Sequence, residues 1–435
     1  MTERRDLDRE LTAYLEGRST NRAPAGLLEA TLTRVDATRQ RPAWLLVGRR
    51  LADRMPRPAL PPVSSRVVLA LILLIALVIA SVIVAGSQKR LPPPFGLAKS
   101  GAIAVDVGGH IAVMKADGTG LTMLTSGPER DSYPVWSPDG TRFAFASYHY
   151  GSFAEDNTST LEVMDADGGH RTTLVKRLSG VVQGALAEQI AASWSPDSRR
   201  VAFSGRLGDD VEARIYVADA DRSGATELGG SEMYGFSPSW SPDGSTIAFK
   251  RIHPCCGGPP DSLWIMRSDG SGARQLSAVT ATGGDFARAA WSPDGGHLAF
   301  LAPGNSLNYD IFVVNAEGTG QTNITESIED ELWPSWSPDG TRIAFTRAAL
   351  GSSSLDTGVF VVNADGSNTT RIGSSSVPVT TVLWSPDGTR VLGFQDDLGG
   401  GPGDSLTILD PAGRVPPTTI PLSGAGAASW QRVAP

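Results

Sequence analysis

Trp136-Ser137-Pro138-Asp139-Gly140 recurs at Trp240, Trp336 and Trp384, with variants Trp194-Ser-Pro-Asp-Ser198 and Trp291-Ser-Pro-Asp-Gly-Gly296. Successive tryptophans lie 58, 46, 51, 45 and 48 residues apart. A period in the forties marks a chain built from one repeated supersecondary unit. A degenerate seventh copy, Ala427-Ala-Ser-Trp430-Gln431, follows 46 residues after Trp384 and lacks the turn.

Each unit reads in the same order. An apolar stretch ends in Trp, then Ser-Pro-Asp-Gly turns the chain into an alternating run such as Thr246-Ile-Ala-Phe249 or Arg342-Ile-Ala-Phe345. After a variable loop comes a second apolar run (Leu161-Glu-Val-Met164, Ile311-Phe-Val-Val314), a tight turn (Asp165-Ala-Asp-Gly168, Asn363-Ala-Asp-Gly366) and a short last run. β-Branched and aromatic runs bounded by Pro, Asp and Gly are strands joined by hairpins. Four strands per unit, here a to d, at this period make a β-propeller blade. The repeated acids Asp139, Asp243, Asp339 and Asp387 suit turn chemistry: Pro presets φ, Asp bonds local backbone, Gly supplies positive φ. The tryptophans Trp136, Trp194, Trp240, Trp291, Trp336, Trp384 and Trp430 suit packing between blades.

The pattern WSPDG-x-x-[IFVL]-[AL]-F with [IV]-x-V-[MVN]-x-A-D-G resembles the TolB-type family of β-propeller repeats, over residues 101–435. The resemblance implies an all-β propeller of six or more blades, a scaffold often used for protein association. Its ends set the count. Before Trp136 stand strands b, c and d of a unit without strand a; after Trp384's unit stands a lone strand a ending in Trp430. Joined, they close a ring of seven blades, with six the alternative if one unit is irregular.

Val67 to Gly86 holds twenty residues without charge or proline, close to what a helix needs to cross ~30 Å of hydrocarbon. Arg49, Arg50, Arg54, Arg57 and Arg66 precede it, against Lys89, Arg90 and Lys99 after it. That balance predicts a single-pass membrane protein with its N-terminus in the cytoplasm and its propeller outside. The expected layout is a helical region over 1–50, a Pro/Arg-rich linker over 51–66, the span over 67–86, a Pro-rich stalk over 87–100 and the propeller beyond. Residues 1–90 carry 15 Lys and Arg against 8 Asp and Glu, the remainder 23 against 38. So acidic a propeller argues against nucleic acid as a partner. Leu7, Leu11 and Leu15, then Leu28, Leu32 and Val35, give two short amphipathic stripes that would need a cytoplasmic partner to bury them. In layout, though without their zinc-binding His and Cys pattern, this resembles membrane-bound anti-sigma regulators.

No Gly-x-Ser-x-Gly elbow occurs, which argues against a hydrolase of the prolyl-oligopeptidase kind. The five histidines show no paired metal spacing. Adjacent Cys255 and Cys256 would oxidise outside the membrane, so a vicinal disulfide stands first, ahead of free thiols or a metal site with His253.

Topology puts the short a–b and c–d turns on one face and the variable b–c and d–a loops on the other. Variable loops on a rigid scaffold are where binding is placed. That variable face should point away from the membrane. Its acids include Asp131, Glu188, Asp285, Asp310 and Glu331, with Tyr234 and Trp333 among them and Arg288 on an inner strand. The expected function is non-enzymatic binding of a protein, peptide or envelope ligand there. The acids serve either as a solvated rim, as a docking face for a cationic partner, or as a Ca²⁺ site at the channel mouth. The alternative class is a metal-dependent hydrolase of the lactonase type, although the inner strands lack that group's carboxylate set.

Overall fold

The computed structural model describes residues 95–433, except 150–157, 180–191, 208–212, 231–232, 252–261, 278–288, 306–307, 349–357, 375–378, 396–403 and 423. The expected N-terminal helices, linker and membrane span lie outside the described residues. So do Glu188, Asp285, Arg288, Cys255 and Cys256.

Seven blades of four strands form the ring. Blade 1 joins the two ends of the repeat region: Ala425–Val433, Lys99–Val107, His110–Met114 and Thr122–Met123, in that spatial order. Blades 2 to 7 begin on Arg130–Trp136, Ser193–Trp194, Gly235–Trp240, Ala290–Trp291, Asp330–Trp336 and Val379–Trp384. Every neighbouring pair within a blade is antiparallel, as short hairpin connections require. The closing pair puts Trp430 opposite Ile103, the register that Trp136 makes with Phe143 and Trp336 with Ile343. Covalent hairpins hold the other six copies in this register. Here side-chain pattern alone sets it across more than 320 residues.

The first strands of adjoining blades pack on one another and so surround the axis. The second strands carry the core. Phe143, Ile247 and Ile343, which face the tryptophans across the hairpin, and Phe145, Phe249 and Phe345 two residues on are all buried. Each buried side chain of this size contributes ~1.5–3 kcal/mol.

Each Ser-Pro-Asp-Gly turn closes on itself. In blade 2 the Ser137 hydroxyl donates to Asp139 Oδ1 at 2.6 Å, and the same oxygen accepts the N–H of Thr141 at 3.0 Å. The Arg142 N–H returns to Ser137 Oγ at 3.0 Å, while Gly140 takes φ 69°. The other five turns repeat this set around Asp197, Asp243, Asp294, Asp339 and Asp387.

The tryptophans sit in the seams between blades. Trp194, Trp291 and Trp336 donate their indole N–H to the carbonyls of Val135, Ser239 and Ala290, each the residue before the preceding blade's Trp, at 2.9, 3.1 and 3.0 Å. An arginine six residues after one Trp covers the next. Arg142 lies over Trp194 at 5.5 Å, and Arg200 over Trp240 and Arg342 over Trp384 at 4.8 Å. Such cation–π contacts add ~0.5–1 kcal/mol each.

Candidate functional site: the inner strands and the blade seams

The inner strands of blades 2, 4 and 6 share a device built on a proline that the other repeats lack at the corresponding position. Pro134, Pro238 and Pro334 stand two residues before Trp, and a β-bulge interrupts each pairing at that place. The residues before these prolines, Tyr133, Ser237 and Trp333, take φ of 59°, 53° and 59°. For bulky side chains this left-handed backbone is uncommon, and pre-proline sterics make it harder still to adopt. A bulge re-aims the side chain at its apex. Tyr133 and Trp333 are both half-buried there.

Asp131 and Glu331, expected on a solvated rim, instead lie inside the wall, 2% and 0% exposed. In blade 2 the Arg171 guanidinium grips both Asp131 oxygens, at 3.0 and 3.2 Å, and pairs with Glu162. It lies 4.9 Å over the Phe145 ring. The physical reason is that the first strands start earlier than the loop reading assumes: Asp131 and Glu331 lie within Arg130–Trp136 and Asp330–Trp336, upstream of the bulge. Tyr234 is half-buried on the run into blade 4, with the Arg214 guanidinium 5.7 Å from its ring.

Between blades 5 and 6 a second set of polar groups is buried. Glu331 Oε1 accepts Arg347 Nε at 3.0 Å, whereas Oε2 has no hydrogen-bond donor. Asp310, also expected on the rim, is 1% exposed. Its Oδ1 accepts from Asn308 Nδ2 and its Oδ2 from Asn323 Nδ2, both at 2.6 Å. Burial pushes the Glu331 carboxyl up to about 7, and its contact with Asp310 pushes the same way. The Ser327 and Thr325 hydroxyls and the Arg347 charge hold it back. The Ser327 hydroxyl also donates to the Glu329 carbonyl at 3.0 Å. Among the described residues no three His, Cys, Asp or Glu side chains come together to hold a metal ion.

The segment that links the two blades is pinned by its own polar groups. Asn323 Oδ1 accepts the N–H groups of Thr325 and Glu326, and Asn308 Nδ2 donates to the Glu329 carbonyl at 2.8 Å. On this fixed backbone Ile328 stands 79% exposed. The sequence carried a signal for the bulges, in the three prolines. It carried none for Asp310 facing Glu331, since that contact joins separate blades.

Seven four-stranded blades, closed by the C-terminal strand and turned on a Trp-Ser-Pro-Asp-Gly repeat, define a β-propeller. The profile described as TolB beta propeller domain matches residues 110–357 and 270–399, and the chain belongs to that family. It is 30% identical over 138 residues to the "Protein TolB homolog" of Chlorobium luteolum, an overlap of 32% of this chain and 29% of that protein. It is 27% identical over 247 residues to dipeptidyl-peptidase 5 of Porphyromonas gingivalis, covering 54% of this chain and 32% of that one. The chain thus spans less than a third of either of these relatives. Among solved structures, an oligogalacturonate lyase in complex with manganese superimposes with TM-score 0.51 at 16% identity, over 69% of this chain and 82% of that one. At that identity the likeness is one of fold.

Proposed function

We propose that the propeller is the binding module of a single-pass membrane protein. Its variable-loop face takes a protein, peptide or cell-envelope ligand, and the N-terminal residues carry or anchor the event on the cytoplasmic side in the manner of an anti-sigma regulator. The observation that carries the binding role is the left-handed backbone at Tyr133 and Trp333 on inner strands. Backbone strain of this kind persists where surrounding structure over-determines it, and it clusters at ligand-binding positions. The membrane placement rests on the apolar run Val67 to Gly86 and on the arginines before it.

The two faces differ in what they offer. On the short-turn face the aspartates are spent on their own turns, as with Asp365, whose Oδ1 takes the Ser367 N–H and hydroxyl. On the other face Ile328 is unused by the fold. Photo-crosslinking from position 328 and from position 365, in the full-length chain in intact membranes, tests the proposal. Adducts from 328 alone are expected; adducts equal from both positions, or none, overturn it. Metal-dependent hydrolysis of a lactone panel by the same preparation would place the chain in the hydrolase class.

A further inference from the structure

We propose that the two ends of the repeat region rebuild the turn that blade 1 lacks, as a clasp in which the entering segment and the closing strand hold one another. Displacing one then loosens the other. In blades 2 to 7 a Ser-Pro-Asp turn joins the first strand to the second. In blade 1 these two strands belong to opposite ends of the sequence, and no turn links them. The bonds of a turn are nevertheless present. Trp430 opposite Ile103 matches Trp136 opposite Phe143, which aligns Gln431 with Ser137 and Ala102 with Arg142. The Ala102 N–H donates to Gln431 Oε1 at 2.9 Å, as the Arg142 N–H donates to Ser137 Oγ. A longer side chain thus makes the turn's own bond without the turn.

The same two ends fill the place of the missing turn on the short-turn face. There each turn leans on that of the blade before. A Cβ at Gly244, Gly295, Gly340 or Gly388 would stand 3.4, 3.5, 3.6 or 3.7 Å from Pro196, Pro242, Pro293 or Pro338, in that order. In blade 3 Ser198 stands for the glycine, and its Oγ accepts the Asp139 N–H at 3.1 Å. Blade 1 owes the ring two such contacts. Toward blade 2, Gln431 Nε2 donates to the Gly140 carbonyl at 2.7 Å, and a Cβ on Gly140 would strike the Arg432 carbonyl. Toward blade 7, the buried Ala98 donates its N–H to the Pro386 carbonyl at 2.9 Å. The closing strand supplies one contact and the entering segment the other.

Arg432 joins these halves. Its guanidinium donates to the Gly96 carbonyl, so the closing strand grips the entering segment directly. Burial pulls that guanidinium down to about 10, because a cation loses solvation inside the clasp. Gly96 meets it at φ 77°, a left-handed backbone that β-branched residues resist. Docking of Gly96–Ala98 and attachment of the closing strand are therefore linked equilibria, each strengthening the other by the same factor. Any displacement arriving through the residues before 95 acts on the bonds that keep the ring closed. The clasp holds whatever the outer face binds, and whether or not residues 67–86 span a membrane.

Hydrogen exchange of the full-length chain, read in both directions, tests the coupling. Gly96→Val penalises the docked segment and leaves the closing strand's sequence untouched. It should speed exchange of residues 427–433 on the order of 10-fold, the effect of about one hydrogen bond. Arg432→Met should speed exchange of the Ala98 amide by a similar factor. Residues 342–348 of blade 6, held by a covalent hairpin, are the reference and should keep their wild-type rates. Wild-type exchange at 427–433 in Gly96→Val, or at Ala98 in Arg432→Met, overturns the clasp. So does an increase no larger than that at 342–348, which reports general loosening. If Arg432→Met does not fold, Gly96→Val decides alone.

Discussion

Asp106 Oδ1 accepts the backbone N–H of Ala427 at 2.6 Å, across 321 residues of chain. Its other oxygen takes the N–H of Tyr133 in blade 2 at 3.2 Å. One buried carboxylate thus ties the closing strand to its own blade and to the next. In blade 3 the matching position is Ser204, whose hydroxyl oxygen takes the Ser237 N–H at 3.4 Å. Hydrogen bonds to a charged group contribute ~1.5–3 kcal/mol each. Asp106→Ala should therefore destabilise the propeller by roughly 3 kcal/mol in urea unfolding, and Ser204→Ala by less than ~1 kcal/mol. Equal losses would show that closure needs no special fastening.

Arg171 answers two carboxylates at once, Asp131 and Glu162. Removing it leaves both without their cation inside blade 2, where they are 2% and 7% exposed. Stranding buried charge costs ~3–5 kcal/mol. Arg171→Met should fall in that range by chemical denaturation. Asp131→Asn combined with Glu162→Gln in the Met background should recover part of the loss; no recovery would mean that the guanidinium acts through packing on Phe145.

Trp194 and Trp240 offer a controlled comparison. Both are buried under an arginine, yet only Trp194 donates its indole N–H to a carbonyl, while Trp240 Nε1 has no partner. Replacement by Phe removes similar bulk from each. Trp194→Phe should cost ~1 kcal/mol more than Trp240→Phe in thermal unfolding, the value of one hydrogen bond.

Acid should loosen the turns together. The Ser241 hydroxyl and the Ser245 N–H hold the Asp243 carboxyl below its usual value, and the Ser292 hydroxyl does the same for Asp294. At Asp339 and Asp387 burial pushes upward, but the bonds from Ser337 and Ser385 and from the following threonines outweigh it. A lowered carboxyl contributes stability that is present above the unfolded value of ~3.9 and lost as pH falls through the folded one. Acid unfolding monitored by circular dichroism should steepen below that value, and Asp339→Asn should make the transition shallower. An unchanged profile would separate the turns from acid sensitivity.

The tryptophan period and the unmatched end strands were legible because both are properties of sequence spacing. The blade count follows from them without any coordinate. Asp131 and Glu331 were legible as acids at corresponding positions, five residues before Trp, but not as interior groups. Pro134 and Pro334 signal a backbone irregularity, and one extra residue in a strand decouples what lies upstream from the inside-outside pattern of what lies downstream. Arg171 and Asp310 are harder still, since their partners are chosen by how strands and blades meet in space. Arg142, Arg200 and Arg342 could have been found: each stands six residues after a repeat Trp, the spacing at which a guanidinium meets the next blade's indole.

Seven is odd, and the proline bulges occupy blades 2, 4 and 6. Alternation around an odd ring must fail once, and it fails between blades 7 and 1, neighbours that both lack the proline, beside the blade in which the circle is closed. A ring of equal blades would present a visiting molecule with seven indistinguishable orientations. This one carries a built-in origin, so a ligand that reads the bulges has a single rotational setting, and the chain's two ends mark where it starts.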